Sequence, residues 1–264
     1  MHWLKTYPTL LKAYYAQSIE YRGQMIIWIL SSVLPLVMML VWIQIANTQG
    51  AINGFDSIDF VSYYLMVTLF RRLTGAWIFW DLDANIRLGT LSPQLLKPLH
   101  PLHHLFTHVL ASKPIQMVFV LPPIILASVL TGAHYDLRLP IILLSLLAAA
   151  GALLIEFFVQ AVIGSLAFWI SHAAALADVW FWMRSLLSGW IIPIAMFPIG
   201  LQTLLIYLPF RYTLAFPIEI ILGGLTPAQM ALGFTIQFAW VLVFFGLFQL
   251  VWQRGLKLYG AVGA

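Results

Sequence analysis

The chain has 264 residues, of which 62% are hydrophobic and only 8% charged, with a net charge of +4 and no cysteine. Soluble domains carry about a quarter charged residues, so this composition belongs in a bilayer, and the missing thiols exclude disulfide frameworks, thiol catalysis and cysteine-based zinc sites. No basic surface interleaved with aromatics points to nucleic acid.

The N-terminal stretch lacks the apolar core and small-residue cleavage site of a signal peptide, so it is expected to be retained. Its residues 2–20 read as an amphipathic helix, interrupted at Pro8, with Trp3, Leu4, Leu11 and Tyr15 opposing Lys5 and Lys12. Such a helix lies in the membrane interface. Six apolar runs follow, at 23–46, 58–80, 114–130, 139–170, 179–200 and 228–252. Each approaches the roughly 20 residues that a spanning helix needs. Pro35 and Pro193 lie inside two of them and predict kinks. Trp42, Trp77, Trp80, Trp169 and Trp252 sit near run ends, where amphipathic rings favour headgroup depth. The chain therefore reads as one all-α integral membrane domain over 1–264, without internal repeats. Lys5, Lys12, Arg22, Arg87, Lys97, Lys113, Arg254 and Lys257 fall in the two tails and the second loop, whereas the first, third and fifth loops hold only Arg138 and Arg211. The positive-inside rule places both ends and that loop in the cytoplasm.

The second loop, 81–113, is the longest on the inside. Ser92 can cap a helix that begins with Pro93, and Pro98 disfavours helical geometry at Lys97. Little more than one turn, 93–97, results, carrying Leu95 and Leu96, and a second helix over 102–112 is predicted after Pro101. A one-turn helix with exposed leucines is poorly stable unless another surface covers it.

Charged residues within the spans are costly in lipid and are usually paired or functional. Arg71, Arg72, Glu156 and Arg184 lie at overlapping depths. Glu156 either neutralises one of the arginines and locks two helices together, or the group lines a path, or the cations snorkel to the interface. Adjacent arginines point about 100° apart, so one carboxylate does not satisfy both Arg71 and Arg72. Between spans five and six, Pro209 and Pro217 divide 201–225 into pieces that reach only about 13 to 17 Å as helices. These must enter and leave on the same side, with Arg211 at the join and Glu219 in the second piece. The histidines at 100, 103, 104 and 108 include i,i+4 pairs but have no nearby carboxylate, which favours an interfacial helix over a metal site. Ser165 and His172 lie too far apart along a helix for a hydrolytic pair. The small residues at 148–151 and the pair Gly223-Gly224 suit close helix approach or a turn.

Arg87, Gly89, Leu91, Ser92, Leu95, Leu96, Lys97 and Pro98 together resemble the coupling-helix loop of type-2 ABC transporter permeases. The order of elements along nearly the whole chain is similar to that family: amphipathic helix, six spans, coupling helix after span two, and a broken outer hairpin between spans five and six, here with Pro209, Arg211, Pro217 and Glu219. The resemblance implies a permease subunit of an exporter, without catalytic residues or metal of its own, and the absence of cysteine and of targeting signals fits a bacterial inner membrane. The resemblance also implies two copies of a separate ATPase subunit that binds ATP and Mg, a second permease, identical or related, and an amphipathic, drug-like or lipid-like cargo. Consistent with a separate motor, the chain contains no G-x-x-x-x-G-K-[ST] run. A secondary transporter or channel would show inverted repeats, and a lipid-modifying membrane enzyme would show convergent acids, bases or metal ligands at one depth.

Overall fold

The computed structural model describes residues 3–20, 33–170 and 173–259. Residues 23–32 of the first apolar run and His172 lie outside the described residues. Among the described residues the fold is helical, without a named strand.

Helix α1 (Trp3–Glu20) runs through Pro8, so the expected interruption does not occur. It lies along α6 (Pro101–Thr131), where Tyr7 shares a hydrogen bond with His103 and Tyr14 with His104. Pro35 falls in the first turn of α2 (Leu34–Gln49), where its missing N–H costs nothing. The run expected as one span over 58–80 is divided. Helix α3 (Ser57–Thr74), started by an Asp56 capping box, stops at Gly75, and α4 (Phe79–Arg87) begins four residues later. The one-turn α5 (Ser92–Leu95) follows.

Helix α6 is continuous through Pro114, Pro122 and Pro123, so the helix expected over 102–112 and the third span are one rod. Helix α7 (Leu139–Ser165) continues as a 3-10 turn to Phe168. The fifth run is also shortened: α8 (Ala174–Leu187) ends well before Pro193, which therefore kinks no helix. Helices α9 (Ile199–Tyr207), α10 (Pro209–Thr213) and α11 (Ala215–Ile221) precede the long α12 (Pro227–Tyr259). Among the described residues three helices, α6, α7 with its 3-10 extension, and α12, are long and apolar enough to cross a membrane.

Helix α7 is the centre of the packing, touching α12, α11, α10, α4 and α3. Its small residues make this possible. Ala148, Ala152 and Ala161 are wholly buried, and at Gly151 a Cβ would collide with the Gln237 side chain of α12. The reading of 148–151 as a close-approach surface therefore matches the geometry, and Gly223 (φ 71°) supplies the left-handed turn expected at the end of α11. Shallow residues bring helices near enough for dispersion and interhelical hydrogen bonds, which take over where lipid removes the hydrophobic drive.

Candidate functional site

The loop around α5 is built from its buried side outward. Ile86, Leu91 and Leu102 join Leu82, Phe248 and Trp252 in one apolar cluster, and Leu91 is fully buried. Gly89 turns the chain with φ 73°, where a side chain would be strained. Backbone and side-chain bonds then pin the turn: Leu91 N–H donates to Asn85 O (2.9 Å) and Thr90 to the Asn85 side chain (2.8 Å). Arg87 pairs with Asp83 (2.8 Å) and also donates to Ile170 O (3.2 Å). Ser92 makes no cap. Its hydroxyl instead shares a hydrogen bond with Tyr259 Oη (3.1 Å), tying α5 to the end of α12. With Leu91 as the inward anchor, Leu95 and Leu96 project outward, Leu96 being 89% exposed. Lys97 N–H closes the turn on Gln94 O, and Pro98 follows.

A polar network fills the gap between α3 and α4. Broken backbone inside a bundle at membrane depth must be satisfied by protein. Lys113 of α6 donates to the carbonyls of Arg72 (2.8 Å) and Gly75. Gln160 of α7 accepts from the N–H groups of Ile78 (2.9 Å) and Phe79 (3.2 Å). The two ends of the break are thus held by two other helices. Gln160 in turn donates to Glu156 (3.0 Å), which also accepts from Trp180 (3.3 Å) and pairs with Arg184 of α8 (3.2 Å). The partner of Glu156 is therefore Arg184, and neither Arg71 nor Arg72. Arg71 lies over the Trp190 ring instead, its guanidinium carbon 3.5 Å from the centroid. Trp180 carries the network onward, its ring 5.2 Å from Phe210 in α10.

The third region is the set of three short helices between α8 and α12. Ala195 lies at the end of the bundle that holds the α2–α3 turn, accepting from Asn53 (2.9 Å). From there α9 descends until Tyr207 O meets Trp240 (3.0 Å), about 20 Å along α12 from Pro227. Gln237 bonds both Ala148 O and Tyr212 O, and Ser145 bonds Pro217 O, as α11 climbs back. Ile221 O then accepts from Asp136 N–H (2.8 Å) in the α6–α7 loop, at the starting end. The segment thus starts and ends at the same end of the bundle. Arg211 and Glu219 pair across the join (2.5 Å), so Glu219 is neutralised within the hairpin.

Gln160 and Trp180 carry no motif that the sequence offers, and Lys113 counts there only as a loop charge, although all three hold the polar network between α3 and α4. His100 caps α6 by accepting from Leu102 N–H (3.2 Å), and burial among its neighbours pushes its pKa below the ordinary histidine value. His103 and His104 are engaged by the tyrosines of α1. Ser165 donates to Ala161 O within its own helix (2.6 Å).

Compared with known proteins, residues 32–263 match the family model described as "ABC-2 family transporter protein". No curated protein matches the chain significantly.

Proposed function

The chain belongs to the ABC-2 transporter family, and from that premise we propose that it forms half of the pathway of an ATP-driven exporter. In this reading the chain crosses the membrane six times with both ends in the cytoplasm of a bacterial cell. A second permease, identical or related, completes the pathway. Two copies of a separate ATPase subunit bind ATP and Mg and do the hydrolysis. The cargo is amphipathic. The segment 199–221 dips into the outer leaflet and caps the path.

The observation that carries the reading is α5: a one-turn helix whose inner leucine is locked in the bundle while Leu95 and Leu96 point away from it. Such a helix persists because Gly89, Leu91 and Tyr259 hold its base, and its outer face is completed by an apolar groove on the motor. Force on α5 passes directly to α4, and the break at 75–78 lets α4 move without dragging α3. Arg87 and Lys97 flank the helix and suit an acidic rim on the groove.

The test is to change Leu95 and Leu96 together to Asp and co-purify the permease with its ATPase subunit. Insertion and yield are expected to be unchanged, with ATPase recovery and transport both lost. Retention of both would exclude α5 as the docking element.

A further inference from the structure

We propose that Arg71, Lys113 and Arg184, with Arg72 beside them, form a binding site for the acidic headgroup of an amphipathic molecule, a phosphate on an alkyl chain being its simplest form.

The argument begins with charge. Arg71 and Lys113 each lie within electrostatic range of Arg184, Arg72 and a single carboxylate, Glu156. Glu156 is already fully engaged, one oxygen by Gln160 and the other by Trp180 and Arg184. The other acidic residues are committed elsewhere. Asp83 pairs with Arg87, Asp59 with His134, Asp136 with Arg138 and Glu219 with Arg211. Asp56 caps α3, Asp81 and Asp178 are exposed, and Glu20 ends α1. Even before Arg72 is counted, cations outnumber the local carboxylate.

Hydrogen bonding gives the second line. Nη2 of Arg184 is buried and has no hydrogen-bond partner. A guanidinium donor shielded from water and left unmade is costly, and the planar fork of arginine matches the oxygens of a phosphate. The surroundings give the third. Trp190, under Arg71, stands 5.9 Å from Phe181, which is 6.0 Å from Trp77. Trp77 is 53% and Trp182 62% exposed on the bundle surface. An apolar aromatic lip therefore adjoins the cations, a pairing that suits a molecule with one acidic end and one hydrocarbon end.

The inference names the cargo class for the exporter reading and rests on that reading only in calling the ligand cargo. Binding needs no ATPase, so the experiment uses the full-length permease alone, in nanodiscs of phosphatidylcholine. Dodecyl phosphate is titrated calorimetrically against dodecylphosphocholine, which has the same chain and no net charge. The phosphate is expected to bind roughly tenfold tighter, one decade per 1.4 kcal/mol. Arg71→Gln should remove most of that preference, whereas Arg71→Lys, which keeps the charge and gives up the planar stack, should retain it. Equal binding of the two amphiphiles, or equal losses in the two variants, would overturn the site. Repeating the titration in discs that also contain phosphatidylglycerol separates two sources of the same chemistry. Competition identifies a resident lipid headgroup as occupant, and undiminished binding identifies an amphiphile other than the bilayer lipid. A permease that binds but never stimulates an ATPase would leave the site standing and remove the exporter reading.

Discussion

Replacing Gln160 by Leu tests whether the divided second helix depends on its neighbours. The two side chains are similar in volume, and the position is buried, so the change removes polar atoms with little effect on packing. Two backbone donors, Ile78 N–H and Phe79 N–H, then lose their acceptor, and Glu156 loses a donor. Each buried donor left unmade costs about 1–3 kcal/mol, so the backbone groups together cost about 2–6 kcal/mol. For a chain of this size that is roughly 5 to 20 °C in unfolding midpoint. Tryptophan fluorescence in mild detergent reads it, because Trp180 belongs to the same network. If Gln160→Leu melts with the wild-type chain, the N–H groups at the break are satisfied otherwise and Gln160 does not hold it.

Glu156→Gln should destabilise the chain, because removing one partner of a buried pair costs about 3–5 kcal/mol. A double-mutant cycle on thermal stability should show coupling with Arg184→Gln and much less with Arg71→Gln, and the reverse pattern would refute the pairing. Single cysteines replacing Leu225, at the end where the hairpin returns, and Leu205, fully buried, should differ: an impermeant maleimide is expected to label the first from outside only and to spare the second. Cytoplasmic labelling at 225 would overturn the proposed topology. In the α6–α7 loop, the Arg138 guanidinium, by hydrogen bond and charge, holds the Asp136 carboxyl below its usual range. A depressed carboxylate lends stability above its unfolded pKa, lost as pH falls through the folded value. Arg138→Gln should therefore remove that contribution at neutral pH, a small one for an exposed pair, and with it the acid-side dependence, and an unchanged Asp136 titration by NMR would refute it.

Proline and glycine punctuation carried most of what was legible. Gly89, Pro93 and Pro98 mark the one-turn helix, and Pro209 and Pro217 mark pieces too short to cross, because both residues act on backbone geometry locally. What local rules missed was decided by distant partners. Nothing between 75 and 78 announces a break apart from Gly75, since the groups that make it tolerable, Lys113 and Gln160, arrive from two other helices. Similarly, depth along the chain admitted three arginines as partners of Glu156, and only the rotation of α8 against α7 selects Arg184. Ser92 had the residue type of a cap, yet Tyr259 competes for its hydroxyl. Pro114 looked like a boundary, but α6 runs through it, since at membrane depth ending a helix strands more backbone groups than one proline does.

The hairpin between α8 and α12 also constrains the order in which the chain can be assembled. Its anchors are Ser145 and Ala148, made long before it, and Gln237 and Trp240, made after it. As the chain emerges from synthesis, 199–221 has half of its binding site and must wait for the last helix to supply the rest, a long-range closure that is slow by nature. Until then three short helices with a paired Arg211 and Glu219 have no complete place to dock. A chain truncated before Gln237 should expose this segment to protease, while one ending after Phe244 should protect it. The final helix thus serves as the latch that retains an element made earlier.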